Sequence, residues 1–258
     1  MKEPVNKTTS KNSFFIGLLS FFGGISQDIF VPVLPLYLAN ILHLDKSFIG
    51  LTEGVVTSSA SFFKIVAGFV SDKLKKRKPI IFLGYFLSFV ARPLLALTTS
   101  GLSVLALRFL DGVGKGVKDS PKDALIADSA VQRSRGKSFG IVRALDTLGS
   151  VAGPLILFAL LYLWKNNSLK YHYIFFITAI PLVITLSLLS FFVKEVNTKS
   201  NGTVKLKVSL PRRFYVFLGI VTLFSLGNSS DTFLILRAQN VGVSLLAIPL
   251  VYDPTPVN

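Results

Sequence analysis

From its N-terminus the chain alternates long apolar runs with short polar gaps. The runs occupy roughly residues 14–39, 48–71, 79–99, 102–122, 138–164, 171–193 and 214–236, with a fragment from about 243 to 252. A helix crossing the hydrocarbon core of a bilayer needs about 20 apolar residues, and these runs reach that length. Spanning β-strands would alternate over about ten residues, and no such alternation is present. The pattern predicts an all-α, polytopic membrane protein with seven spans and a partial eighth. Short gaps at 40–47, 100–101 and 165–170 suit antiparallel neighbours. The segment 194–213 is longer and polar, contains Asn201-Gly202, and reads as a linker. The expected domains are a terminus (1–13), a six-helix bundle (14–193), the linker (194–213) and the start of a second bundle (214–258).

Charge assigns the sides. The terminus and the gaps at 72–79, 115–137 and 194–213 hold 3, 5, 6 and 6 lysines plus arginines, against only Lys46, Lys165, Lys170 and Arg237 in the alternate gaps. Positively charged loops stay inside, so the N-terminus and linker are expected in the cytoplasm of a multi-pass cell-membrane protein. The net charge of +15 could suggest nucleic acid, but the cations cluster between apolar runs and no such partner is expected. There is no cysteine, which excludes disulfide and thiol chemistry. With only His43 and His172, a histidine-based metal site is not expected, and no cofactor is implied. Gly112-Val-Gly114-Lys115-Gly116 lacks the spacing of a phosphate loop, since Phe109 stands where its first glycine belongs and Gly116 where its Ser or Thr does. The run from Phe14 continues through Leu38 without a cleavage signal, so it reads as a span and not a leader.

The densest charge follows Gly68-Phe-Val-Ser-Asp72-Lys73-Leu-Lys75-Lys76-Arg77-Lys78, a tight turn between spans two and three. Cations after Asp72 favour the C-terminus of the helix they follow. Anchoring alone does not explain Gly68 and Asp72 at helical spacing. Gly68 permits close helix approach, and Asp72 is placed to pair with a neighbouring helix's cation or N-terminus. Four cations (Lys64, Arg92, Arg108 and Arg143) lie inside spans, together with Asp28, Glu53, Asp111 and Asp146. Lys64 is read as snorkelling to the surface. Each intramembrane charge costs about 2.5–3.5 kcal/mol on insertion scales and should face the bundle interior. Asp28 and Glu53 have two readings, as cation or proton sites or as local partners of Arg92 or Arg108. Arg108–Asp111 and Arg143–Asp146 are spaced i,i+3 and share helix faces. Gly149, Gly153 and Pro154 weaken span five in mid-membrane, and small residues four apart let helices touch.

Six spans, a linker and a seventh span resemble one half of a six-plus-six secondary transporter and the start of the other, with a midplane site between halves. The motifs are similar to those of the major facilitator superfamily over nearly the whole chain. Gly68-x-x-x-Asp72-Lys73-x-x-Lys76-Arg77 resembles its signature loop, although that pattern has a glycine where Lys75 stands. Arg108 followed by Gly112 and Gly114 resembles the fourth-helix motif. Gly140, Gly149 and Gly153-Pro154 are similar to the fifth-helix motif of proton-coupled exporters, which closes with two glycines where this chain has Leu157 and Phe158. A narrower resemblance, through Leu110-Asp111-x-x-Gly114-Lys115-Gly116, Pro121-Lys122-Asp123 to Asp128 and Arg143-Ala-Leu-Asp146, is to uncharacterised bacterial members. The resemblance implies a non-enzymatic transporter working by alternating access, with the loop as a conformational latch and Arg108 in proton coupling. Proton-coupled export of a small organic compound is the leading expectation. A facilitator or symporter importing a metabolite, and a non-transporting membrane protein, are the alternatives. The chain's end, with Pro254 and Pro256 interrupting span eight, is read as truncation, so a second bundle in trans is expected to complete the path.

Overall fold

The computed structural model describes residues 7–130, 134–165, 167–196, 211–226, 231–244 and 247. Among these the elements are α1 (Lys7–Asn40), α2 (Lys46–Leu74), α3 (Lys78–Leu95), α4 (Gly101–Ser129), α5 (Arg135–Leu163), α6 (Lys170–Ile177), α7 (Ala179–Phe191), α8 (Arg212–Leu226) and α9 (Asp231–Asn240), with no strand among the described residues. Residues 197–210 of the expected linker and most of the expected eighth span lie outside them.

Local chemistry sets the helix ends. Asp45 caps α2, its carboxylate accepting the Ser47 N–H at 3.1 Å, which satisfies one of the free donors of the first turn. At the other end Lys75 takes φ 53° and ψ 23°. This left-handed stop is the one glycine makes without steric penalty. The turn therefore keeps its tight geometry even with lysine in glycine's place. Pro79 then sits in the first turn of α3, where a missing N–H breaks no helical bond.

One predicted span is not a single helix. Span six is divided at Thr178 into α6 and α7, because Pro181 has no N–H to give the Ile177 carbonyl. The adjacent Thr178 carbonyl accepts the Ser26 hydroxyl at 2.7 Å instead. In the span at 214–236 the structure describes α8 to Leu226 and α9 from Asp231, and residues 227–230 lie outside the described residues. Residues 211–225 are exposed throughout, whereas α9 buries Ile235 and Leu236 against the α1 core. Gln239 Nε2 donates to Asn40 Oδ1 at 3.1 Å.

Packing divides the first six spans into two groups. In one, α4 lies tightly on α2 and α3, and in the other α1 lies on α5 and α7. The α3–α7 contact joins them, while α4 touches α1 and α5 only sparsely. The tight seams run over small residues. A Cβ at Gly149 of α5 would fall on the Phe21 backbone of α1, and one at Gly68 of α2 would stand 2.7 Å from Ser120 Oγ of α4. Gly140, expected to share the α5 packing motif, does not: it is exposed and a Cβ there would meet nothing within 4 Å. The reason is angular. Nine residues at 3.6 per turn place Gly140 on the face opposite Gly149.

Two apolar clusters fill the bundle ends. One contains Phe30, Val33, Leu34, Leu36 and Phe175; the other, at the lysine-rich end, contains Ile16, Leu19, Ile81, Leu125 and Leu189. Between them lies a polar layer. Among the described residues five segments are long and apolar enough to cross a membrane: Lys11–Asn40, Lys46–Leu74, Lys78–Leu95, Arg135–Leu163 and Lys170–Phe191. The 29-residue α4 is also long enough but too charged to meet that measure. Large apolar side chains such as Phe69, Leu163 and Phe191 are exposed, as lipid contact requires.

Candidate functional site

The polar layer is built largely on one face of α4. At 3.6 residues per turn, Arg108, Asp111, Lys115, Lys118, Asp119 and Lys122 fall within an arc of about 100°. This explains how a helix so charged can lie in the bundle, since its polar stripe avoids lipid.

At the centre, Asp111 receives both buried arginines. Arg92 of α3 approaches it through Nε at 3.2 Å, and Arg108 through Nη1 at 3.6 Å. Arg92 also donates through Nη1 to Ser26 Oγ at 2.7 Å and through Nη2 to Gln27 Oε1 at 2.5 Å. Arg108 Nη2 donates to Glu53 Oε1 of α2 at 2.6 Å. Both guanidinium groups lie over the Phe30 ring, 5.1 and 5.5 Å from its centroid. Two cations thus meet two carboxylates, a neutral set that joins α1, α2, α3 and α4. Charges removed from water are tolerated only when paired and hydrogen-bonded in this way. Arg108 Nε has no hydrogen-bond partner among the described residues.

Asp28 stands apart from this set. It is 5% exposed and enters no ion pair among the described residues, so the expected alternative of pairing with Arg92 or Arg108 is not realised. Arg92 is committed to Asp111, and Arg108 to Glu53 and Asp111. The Asp28 side chain lies in the α1–α5 seam, its Cβ 2.8 Å from where a Gly153 side chain would begin. Ser150 is its hydrogen-bonding neighbour, and Arg92, Lys115 and Asp146 are the charges around it. Gly153 and Pro154 are buried beside it. Arg143 and Asp146 do face each other at 3.8 Å, but their side chains are 67% and 34% exposed. They are outside the buried layer.

The lysine-rich end holds a second network. Asp72 reaches the N-terminus of the next helix, as its spacing suggests, because Arg77 is the N-cap of α3. It pairs at 2.8 Å with Arg77 Nη1, within its own turn, and remains 69% exposed. The reach across helices is made by Arg77, whose Nε meets Asp128 of α4 at 2.7 Å. Burial works against the Arg77 charge, but hydrogen bonds to Asp128 and Asp72 outweigh it and raise the guanidinium's affinity for its proton. The backbone N–H groups of Arg77 and Lys78 donate to the two Glu195 oxygens at 2.9 and 2.8 Å, capping α3 with a carboxylate from beyond α7. Lys73 and Lys76 are exposed and join no ion pair among the described residues.

Sequence reasoning assigned no role to Asp128, Glu195 or Gln27, and gave Arg92 only as a possible partner. Glu195 is the one acid in the strongly basic 194–213 gap, and that contrast was the available signal; Asp128 shares its gap with Asp119 and Asp123 and carried none.

A profile of the Major Facilitator Superfamily matches residues 16–255. The chain belongs to this superfamily. It is 35% identical over 241 residues to an uncharacterized MFS-type transporter of Methanocaldococcus jannaschii, covering 91% of this chain and 58% of that one. It is 30% identical over 157 residues to the staphyloferrin B transporter of Staphylococcus aureus, covering 59% of this chain and 37% of that protein. Among solved structures, a bacterial homologue of the human lysosomal transporter Spinster, inward-facing and occupied, has a TM-score of 0.72 at 17% identity, covering 98% of this chain and 58% of the other. The fold is therefore that of the superfamily, and the chain is a multi-pass membrane protein. It spans 58% of the length of the archaeal relative and 52% of that of a Mycobacterium tuberculosis relative.

Proposed function

We propose that this chain forms the first bundle of a secondary transporter that exports a small organic compound in exchange for protons, with α8 and α9 beginning the second bundle. The N-terminus and the Gly68–Lys78 loop lie on the cytoplasmic side. Alternating access then rocks the bundles about the polar layer. The observation that carries the reading is Asp28, a buried carboxylate outside every ion pair, beside a charge set that is already neutral. Ionised, it places one unpaired negative charge in the membrane interior, and protonated it places none. A carboxylate so situated changes its proton affinity when water reaches or leaves it. Glu53, Arg108 and Asp111 act as the fixed frame against which that change occurs, with Arg143 and Asp146 at its rim.

Export is supported by the likeness to a protein named for multidrug resistance in Proteus mirabilis, 28% identical over 197 residues. The cytoplasmic network gives the latch its parts. Arg77 bridges the end of α2 to Asp128 of α4, and releasing it frees the α2–α4 end to move. The test is proton flux in proteoliposomes holding the transporter that contains this chain, under an imposed pH gradient. Asp28→Asn should abolish substrate-linked proton movement while insertion and folding persist. Proton-linked flux with unchanged pH dependence in that variant would reject the assignment.

A further inference from the structure

Below the neutral charge set, α4 carries two lysines that no carboxylate approaches closely enough to pair with among the described residues. Lys118 is 9% exposed, and its Nζ sits 4.6 Å from the centroid of the Tyr85 ring of α3. Its aliphatic stem is fixed by Gly84, where a Cβ would come within 2.7 Å of the Lys118 Cβ. Lys122, one turn on, donates to Ser20 Oγ of α1 at 3.2 Å. Neither lysine enters an ion pair among the described residues, although Asp119, Asp123 and Asp146 are in the neighbourhood. A surface lysine would swing into water, but Lys118 lies over an aromatic ring inside the bundle. A cation–π contact offsets only about 0.5–2 kcal/mol, less than the several kcal/mol that desolvating an ammonium costs.

α4 packs only sparsely on α1 and α5, and Lys122 reaches across that seam to Ser20. Side chains four residues apart on a helix stand about 5–6 Å apart at Cβ, a spacing that lets two ammonium groups share one oxyanion. Lysine suits this task as a compact point charge that binds carboxylate or phosphate without a fixed fork.

We propose that Lys118 and Lys122, with the Ser20 hydroxyl, form an anion subsite, and that the transported compound bears carboxylate or phosphate groups. The inference rests on the transport reading for the word transported, but the binding site itself does not. Without an anion, neither ammonium has a carboxylate in contact among the described residues. An oxyanion between them completes the pairing, so occupancy stabilises the α1–α4 approach.

The test is competitive amine acetylation read by mass spectrometry on the purified protein in phosphatidylcholine nanodiscs, with citrate and inorganic phosphate as separate probes. Either probe should slow acetylation of Lys118 and Lys122 at least tenfold while leaving the exposed Lys75 and Lys76 unchanged. The same probe should raise the thermal midpoint of the wild type and not that of Lys118→Gln or Lys122→Gln. The wild-type protection needs no variant to fold. Absence of protection by both probes, or equal protection of Lys75 and Lys76, overturns the subsite. Protection seen only when phosphatidylglycerol replaces phosphatidylcholine assigns the lysines to a lipid headgroup and overturns it as well. Protection without any proton-linked flux retains the subsite and removes the transport reading; flux without protection does the reverse.

Discussion

Replacing Asp111 by Asn removes the one carboxylate that both buried arginines share, at nearly constant size. Arg92 is 1% exposed and Arg108 3%, so neither can turn to bulk water. Arg108 keeps Glu53 at 2.6 Å, whereas Arg92 keeps only the neutral Ser26 and Gln27. Removing one partner of a buried ion pair costs about 3–5 kcal/mol. The retained hydrogen bonds put the expected loss at the lower end, about 3 kcal/mol. Adding Arg92→Gln restores charge balance, and the pair should show a coupling of about 1–3 kcal/mol, within the range for residues in contact. The assay is reversible unfolding in mixed micelles with rising sodium dodecyl sulfate, followed by the fluorescence of Trp164, the chain's only tryptophan. If Asp111→Asn unfolds at the wild-type midpoint, or if the two substitutions simply add, Asp111 is not the hub of the layer.

Two further outcomes are expected in the same assay. Gly140→Ala and Gly149→Ala should act in opposite directions although both lie in one motif. The first gains about 1 kcal/mol of helix propensity in open space, while the second forces a methyl onto the Phe21 backbone and loses about 1–2 kcal/mol net of that gain; shifts of the same sign would disprove the packing assigned to them. Lys75→Gly should stabilise by about 1 kcal/mol by removing the left-handed strain, and a loss of stability would show that the lysine side chain contributes something the turn needs.

The spans were legible because membrane length and apolarity leave a periodic record, and even α4 could be placed from the gaps on either side of it. Its charges looked like an anomaly in a span, but their 100° arc is what lets the helix sit inside. The break at Thr178 was not legible, since Pro181 can kink a helix or merely bend it and only the Ser26 contact shows where the carbonyls turn. Gly140 was misplaced by reading motif spacing without the helical angle. Asp72 pairs with Arg77 at the start of α3, as its spacing suggests, but the onward reach of Arg77 to Asp128 of α4 was not legible. Asp28 and Glu53 carried equal weight in the sequence. Only the three-dimensional pairing of Arg108 with Glu53, 55 residues away, separates a locked carboxylate from a free one.

That separation is tested most directly by infrared difference spectroscopy of the reconstituted protein across a pH step. The proposed account predicts a protonated-carboxyl band that titrates, disappears in Asp28→Asn and persists in Glu53→Gln. A band that survives Asp28→Asn and is lost in Glu53→Gln would contradict it.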